Sequence, residues 1–200
     1  MVLSRKDVKA EIAKGKIKFD PPIGENQWAT GGACINLRLG RKFTFFRPAP
    51  GVTFSLLQGI GSLRDTALWN EEIIDGEDGS GKKRVVTLAP QEFILGQTLE
   101  HIWIPRNLIG MVEGRSSYAR AGISVHQTAP WLMPGWDGQI TLEIRNSGRF
   151  KLELTPVEEM PCQITFLRMS SIVPKDVAYG SSSTDSFQHQ TTMLPKKAKG

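Results

Sequence analysis

Two arginines and two serines that lie close together in the chain have the chemistry of an anion-binding site. Arg115, Ser116 and Ser117 are consecutive, and Arg120 follows Ser116 by four positions, so Ser116 and Arg120 would share one face of a helix. Either serine could cap this helix, and Gly122 would end it. A helix N-terminus flanked by arginine and hydroxyl groups binds phosphate, but an ordinary capped surface helix would show the same pattern.

Glu143 is a second candidate for chemistry, because of the strand that would carry it. In residues 139–144 apolar side chains alternate with Thr141 and Glu143, which is the period of a half-buried strand. A glutamate on the polar face that met a pocket could accept and return protons. On a solvent-facing strand the same glutamate would have no such role, and the pattern leaves both interpretations open.

Between these two segments lies an unusually apolar stretch, residues 128–136. Its two prolines and one glycine predict a loop. Trp131 and Trp136 could form an aromatic wall for a nucleobase, since rings stack well on bases. Packing in the core or between subunits is the alternative.

The cysteines and histidines do not have the spacing of a zinc site. Cys34 and Cys162 are far apart, and the histidines at 101, 126 and 189 are scattered. Zinc-dependent base deaminases need His-x-Glu followed by Pro-Cys-x-x-Cys, and that pattern is absent. The two cysteines are expected to be buried thiols.

Composition describes a globular chain of one domain. The 200 residues are 40% hydrophobic and 22% charged, and no apolar run is long enough to predict a membrane span. Residues 1–20 lack the apolar core of a signal peptide, so we expect a cytoplasmic protein without a membrane partner. The net charge of +5 comes partly from lysines near the C-terminus, and it indicates either a solvated end or attraction of a polyanion.

The pattern along the chain predicts one helix followed by short strands. Ser4 with Asp7 resembles a helix start, and the helix would run from Arg5 to about Lys14 with Gly15 after it. Frequent turns separate the strands, which favours a β-sandwich or barrel. Strands are predicted at 34–39, 41–46, 84–88, 92–99, 102–104, 139–144, 151–154 and 162–169. Residues 180–192 are rich in Ser, Thr and Gln, which predicts a disordered tail or a lid that orders over a ligand.

Taken together, these segments resemble the dCTP deaminase branch of the trimeric dUTPase superfamily, over Leu3 to about Gln190. The motifs that carry the resemblance are Arg38-Leu39-Gly40, Leu88-x-Pro90-x-Glu92, Thr98-Leu99-Glu100, Gly114-Arg115-Ser116-Ser117-x-Ala119-Arg120-x-Gly122, Val125-His126-x-Thr128-Ala129, Pro134-Gly135-Trp136-x-Gly138 and Thr141-Leu142-Glu143. The resemblance implies a mainly β fold, a distorted barrel or jelly roll with a short N-terminal helix and one or two short internal helices. Residues 1–178 would form one domain and 179–200 a tail that a nucleotide could order as a lid.

The resemblance also implies an activity for the stretch from Gly114 to Asn146: hydrolytic deamination of dCTP to dUTP and ammonia, supplying dUTP for dUMP and thymidylate synthesis. Glu143 would be the proton shuttle, with no metal on the attacking water. Ser116 and the carbonyl of Ala129 would hold that water, and Arg120 would orient Glu143.

The rest of the implied site concerns binding. Arg115, Ser116 and Ser117 would bind the triphosphate, and Mg²⁺ would accompany it. Backbone groups of residues 141–143, including Leu142, would read the pyrimidine. In the tail, Tyr179 and Gln190 match lid residues. The expected partners are dCTP and dUTP, a dTTP feedback inhibitor and two further copies of the chain in a homotrimer with shared sites, but not nucleic acid.

Three positions depart from the family pattern. Met133 stands where an aspartate normally contacts the 3′-hydroxyl of the sugar, Ser186 where a lysine meets the phosphates, and Asn36 near an expected aspartate. These departures keep alternatives open. One is a bifunctional enzyme that also forms dUMP, although the missing carboxylate at Met133 opposes it; another is a nucleotide-binding regulator without turnover. A plain dUTPase would have no use for Glu143 and Arg120 together.

Overall fold

The computed structural model describes residues 1–47, 49–55, 57, 63, 66–182, 185, 187–189, 193 and 194. The helices are α1 (Arg5–Ala13), α2 (Ser116–Ala121) and a 3-10 turn at Glu25–Gln27. The strands are β1 (Lys18–Asp20), β2 (Ile35–Leu37), β3 (Lys42–Phe46), β4 (Trp69–Ile73), β5 (Val86–Leu88), β6 (Phe93–Trp103), β7 (Leu108–Gly114), β8 (Ile123–Ser124), β9 (Trp131–Leu132), β10 (Asp137–Asn146), β11 (Leu152–Leu154) and β12 (Cys162–Arg168).

Helix α1 begins and ends as the sequence predicts. The Ser4 hydroxyl accepts a hydrogen bond from the Asp7 N–H, and the Asp7 carboxylate accepts one from the Ser4 N–H, which completes a capping box. Gly15 follows the C-cap residue with a φ of 67°, the left-handed conformation that a helix end favours and that glycine adopts without strain.

The strands form three antiparallel sheets in the described part of the chain. The largest has the order β4-β3-β6-β10-β8, with β1 added along β6. A second sheet has the order β2-β12-β7-β9, and β11 pairs with β5 in a small third one. The mainly β fold class and the short helices are confirmed, although the sheets do not close into a barrel in the part that the structure describes.

Three details of the predicted strands are wrong. The segments 92–99 and 102–104 belong to one continuous strand, β6. Strand β2 covers only Ile35–Leu37 of the predicted 34–39, and all three of its residues are buried. Five strands were not predicted: β4 is polar, β7 contains two glycines, and β1, β8 and β9 are only two or three residues long.

Strands β6 and β10 form the longest ladder and position Glu143. Glu143 lies directly opposite Leu95, and the apolar residues of β10 on its other face are buried. The ladder shifts register between Gln139 and Thr141. At this shift the Thr98 hydroxyl accepts a hydrogen bond from the Ile140 N–H at 3.0 Å and donates one to the Glu100 carbonyl at 2.8 Å. Both of these backbone groups therefore have a partner at the irregularity.

A buried carboxylate ties β6 to the N-terminal segments. Glu100 is 0% exposed, and its Oε1 accepts from Arg38 Nε at 2.7 Å and from Gln27 Nε2 at 2.8 Å. Its Oε2 accepts from the Arg38 N–H at 3.0 Å. Both oxygens are therefore used, which is the condition under which a buried charge is tolerated.

We predict that Arg38→Met lowers the free energy of unfolding by about 3 kcal/mol, because Glu100 would keep its buried charge and lose its counter-ion. Urea unfolding followed by tryptophan fluorescence measures the change. The matched control is Arg5→Met, which removes the same charge from an exposed pair with Glu25 and should cost much less. Equal losses in the two variants would show that the Glu100 network does not stabilise the fold.

Candidate active site

A cavity of about 500 Å³ opens beside strand β10, and Glu143 and Thr141 are on its wall. The side chains around them are almost all apolar and come from β3, β6, β10, the loop at 128–136 and the tail. They are Phe46, Phe93, Leu95, Ala129, Trp131, Leu132, Met133, Trp136, Ile140, Tyr179, Phe187, Met193 and Leu194. Glu143 therefore faces a pocket, which is the position that its functional interpretation requires.

The loop that follows β8 fixes the orientation of Glu143. The Gln127 N–H donates to Glu143 Oε2 at 2.7 Å, and the Glu143 N–H donates to the Val125 carbonyl at 2.9 Å. Among the described residues Glu143 Oε1 has no hydrogen-bond partner. One carboxylate oxygen is thus held by the main chain, while the other is left without a partner in this part of the structure.

The apolar loop forms part of the cavity wall. Trp131 is 46% exposed and Met133 45%, so both large side chains are available to a ligand. Trp136 is nearly buried, and its indole N–H donates to the Gly138 carbonyl at 3.1 Å. The stretch is not wholly a loop, because Trp131 and Leu132 form the short strand β9 beside β7.

The described part of the tail packs on this same loop. The Tyr179 ring stacks on Trp136 with centroids 5.4 Å apart, and the Tyr179 N–H donates to the Pro134 carbonyl at 2.9 Å. The Tyr179 hydroxyl accepts from the Phe187 N–H at 3.2 Å. Burial raises the pKa of Tyr179 above its usual value, so the hydroxyl stays neutral at physiological pH. Gln190 and Ser186, two positions of the predicted lid, lie outside the described residues.

Two tail residues close one side of the cavity. Met193 and Leu194 are both 3% exposed and pack against Leu95. Phe46 and Phe93, whose rings stack with centroids 5.7 Å apart, complete this small apolar cluster. The wall next to Leu95, and hence next to Glu143, is therefore made partly by the tail.

Helix α2 lies apart from this cavity within one chain. Ser116, Ser117 and Arg120 are exposed, and none of them lines the cavity that contains Glu143. The predicted serine cap is wrong: the N-cap residue is Arg115, without a side-chain hydrogen bond to the helix, and both serines are inside the first turn. Gly122 ends the helix as predicted, with a φ of 99°, and a Cβ there would meet the Gly148 nitrogen at 2.6 Å.

The predicted site residues therefore fall into two groups. Glu143, Thr141, Ala129 and Tyr179 meet at the cavity, whereas Leu142 is only 1% exposed and does not line it. Arg115 and Ser117 line a different cavity of about 430 Å³.

Sequence reasoning missed several residues around Glu143, among them Gln127 and Leu95. Gln127 acts through its main-chain N–H, which no residue pattern reveals. Leu95 is the direct partner of Glu143 across the ladder, and it would have been found by pairing β6 with β10.

The described residues offer little to a metal. No cluster of three or more His, Cys, Asp or Glu side chains among them could hold an ion. Both cysteines are free thiols: Cys162 is buried as expected, whereas Cys34 is only half-buried, with its Sγ 3.0 Å from the Thr165 hydroxyl. No helix in the described ranges is long and apolar enough to cross a membrane.

Comparison with known proteins identifies the family. The family model for dCTP deaminase-like domains matches residues 2–169. A dCTP deaminase from Rhodospirillum rubrum is 35% identical over 197 residues, which cover 98% of this chain and 96% of the relative. A dUMP-forming dCTP deaminase from Dictyoglomus thermophilum is 35% identical over 190 residues, covering 95% of this chain and 91% of the relative. The chain belongs to the dCTP deaminase-like enzyme family.

A solved structure supports the fold. The 2′-deoxycytidine 5′-triphosphate deaminase from Agrobacterium tumefaciens superposes with a TM-score of 0.59 at 20% sequence identity, over 82% of this chain. This chain spans about half of that solved chain, 48% of its length.

We predict that Tyr179→Ala loosens the tail, because it removes both the ring on Trp136 and the acceptor for the Phe187 N–H. Hydrogen exchange measured by mass spectrometry should become faster across 178–189 and stay unchanged in β6 and β10. The control Tyr179→Phe keeps the stacked ring, so faster exchange should be confined to the neighbourhood of Phe187. Unchanged exchange in the alanine variant would mean that the stacking does not hold the tail.

Proposed function

We propose that this protein catalyses the hydrolytic deamination of dCTP to dUTP and ammonia. The observation that carries the proposal is the Glu143 carboxylate, held at Oε2 by the Gln127 N–H and on the wall of a largely apolar cavity. Family membership, together with relatives named dCTP deaminase, supports the choice of reaction and substrate.

The chemistry needs one group that moves two protons. Water adds to C4 of cytosine while Glu143 takes one of its protons and delivers it to N3, whose double bond to C4 becomes single. Glu143 then takes the proton of the new C4 hydroxyl and delivers it to the amine, so that the C4–N bond breaks, ammonia leaves and the C4 carbonyl forms. dCTP and water thus yield dUTP and ammonia without any redox change. In this proposal the Ala129 carbonyl and the Ser116 hydroxyl hold the water, and Arg120 orients Glu143 electrostatically.

A complete site requires more than one subunit in this proposal. Ser116 and Arg120 are exposed on α2 and away from the Glu143 cavity of their own chain. A homotrimer with shared sites would place α2 of one subunit against the Glu143 cavity of the next. The exposure of Ser116 and Arg120 supports this arrangement, because a closed symmetric assembly would cover them.

The triphosphate is assigned to Arg115, Ser116 and Ser117. Arginine and hydroxyl donors suit phosphate oxygens. Mg²⁺ is proposed to enter with the triphosphate, since this ion prefers phosphate oxygens and water, and the described residues supply no carboxylate cluster of their own. The tail from Tyr179 onward is proposed as the lid, and dTTP as a feedback inhibitor of the same site.

The second candidate is a bifunctional reaction that continues to dUMP and diphosphate. Similar proteins named dUMP-forming dCTP deaminases favour it. Met133 opposes it, because the thioether on the cavity wall cannot activate a water molecule as a carboxylate would. The proposal therefore ends at dUTP.

We expect the purified protein with dCTP and Mg²⁺ to release equal amounts of dUTP and ammonia, without added zinc. Separating the nucleotides by anion-exchange chromatography and measuring ammonia enzymatically follow both products. Accumulation of dUMP would replace the proposal by the bifunctional reaction. Tight dCTP binding without any product would indicate a regulator instead.

We predict that Glu143→Gln lowers kcat by at least about 10²-fold while dCTP still binds, because glutamine keeps the size of the side chain but cannot carry the proton. Steady-state kinetics and calorimetric binding measure the two effects. Glu72→Gln, on the exposed part of β4, is the matched control and should behave as the unmodified protein. Near-normal turnover by Glu143→Gln would contradict the mechanism.

A further inference from the structure

Both the side chain and the main chain of Arg115 are held by hydrogen bonds. Its Nη1 donates to the Met160 carbonyl at 2.9 Å, and its main-chain N–H donates to the Pro161 carbonyl at 3.0 Å. The guanidinium carbon lies over the ring of Tyr118, 5.7 Å from the centroid. Among the described residues this leaves most of the five N–H donors of Arg115 for another ligand.

The other end of Tyr118 binds a carboxylate. Its hydroxyl donates to Glu159 Oε2 and accepts from the Met160 N–H at 3.3 Å. Burial, and next the hydrogen bond to Glu159, raise the pKa of Tyr118 to about 12. The hydroxyl is therefore a proton donor throughout the physiological range.

Glu159 and Arg115 line the same cavity as Tyr118 but form no ion pair with each other in the described structure. This separation matters, because an arginine and a carboxylate in one small cavity tend to form a bidentate pair that uses the donors of the arginine. The backbone of Glu159 is fixed as well, since its carbonyl accepts from the buried Leu39 N–H at 2.8 Å. Tyr118 thus contacts the cation with its ring and the anion with its hydroxyl.

We propose that Tyr118 and Glu159 are positioning residues for nucleotide binding: the Tyr118 hydroxyl engages Glu159 and keeps this carboxylate away from Arg115, whose guanidinium remains open to phosphate. The inference rests on the proposed function, in which Arg115 binds the triphosphate. It adds two residues to the proposed binding site. Tyr118 is the unspecified position between Ser117 and Ala119 of the motif, and Glu159 lies outside the motif.

Calorimetric titration of the intact assembly with inorganic triphosphate tests this proposal independently of deamination. Tyr118→Phe keeps the ring beside Arg115 and releases Glu159, so affinity for inorganic triphosphate should fall by about tenfold, the size of one charge-assisted hydrogen bond. The double variant Tyr118→Phe/Glu159→Gln should regain most of that affinity, because the uncharged amide cannot capture the guanidinium. With dCTP as substrate, Tyr118→Phe should raise KM and leave kcat within about twofold.

The controls separate positioning from simple destabilisation. Glu153→Gln removes a carboxylate from the same cavity without touching Tyr118, so Tyr118→Phe/Glu153→Gln should stay as weak as Tyr118→Phe. Glu159→Gln alone keeps an acceptor for Tyr118 and should bind at least as well as the unmodified protein. Thermal unfolding of each variant verifies that it is folded.

Three results would overturn the inference: Tyr118→Phe binding as the unmodified protein does, Glu159→Gln failing to rescue it, or the unmodified protein failing to bind inorganic triphosphate. Absence of dCTP turnover in the unmodified protein would instead remove the proposed function. In that case the affinities of the variants for inorganic triphosphate still decide whether Tyr118 keeps the Glu159 carboxylate away from Arg115.

Discussion

The pairing of β6 with β10 is the constraint on which the rest of the site depends. In this ladder Glu143 stands opposite Leu95, while the alternate residues of β10 enter the core. A slip of one residue would bury the carboxylate and expose the core face, so the register carries both the stability and the chemistry of the strand. At the irregularity in the ladder the Thr98 hydroxyl hydrogen-bonds the Ile140 N–H and the Glu100 carbonyl. The Glu100 carboxylate joins the same strand to Arg38 and Gln27. These buried hydrogen bonds thus hold β6 in place, and β6 in turn positions β10, the strand that carries Glu143.

The two halves of the proposed site have different kinds of support. Glu143 is placed by strand pairing, the Gln127 main chain, the aromatic loop and the tail, and all of these belong to one chain. Helix α2 is held at its start by Arg115 and at its end by Gly122, yet it presents Ser116 and Arg120 to the exterior. Each half is positioned by contacts within its own chain, and in the proposal neither half is complete by itself. We therefore propose that assembly of several copies forms the complete deaminase site. In this proposal Tyr118 keeps the guanidinium of Arg115 open to the triphosphate.

Much of this could be predicted from the sequence where the signal is local. The capping box at Ser4, the turn at Gly122 and the alternation around Glu143 depend on near neighbours, and the structure has all three. Strand β7 was not predicted, because Gly110 weakens its pattern. A Cβ at Gly110 would meet the Ile104 side chain at 2.9 Å, so glycine is needed there because of a residue that packs against it in the fold. Contacts between distant segments, such as Tyr118 with Glu159, leave no local pattern. Motif resemblance supplied the family, but it could not supply the partners of the motif residues.

The central claim, that Glu143 of one subunit works with Arg120 of another, is tested most directly by mixing two inactive variants. Glu143→Gln and Arg120→Ala proteins are unfolded together in equal amounts, refolded and assayed with dCTP. If sites are shared, random assembly gives about a quarter of the sites both intact residues, and activity appears in proportion. Activity that stays at the level of the separately refolded variants would place both residues in one subunit and contradict the account.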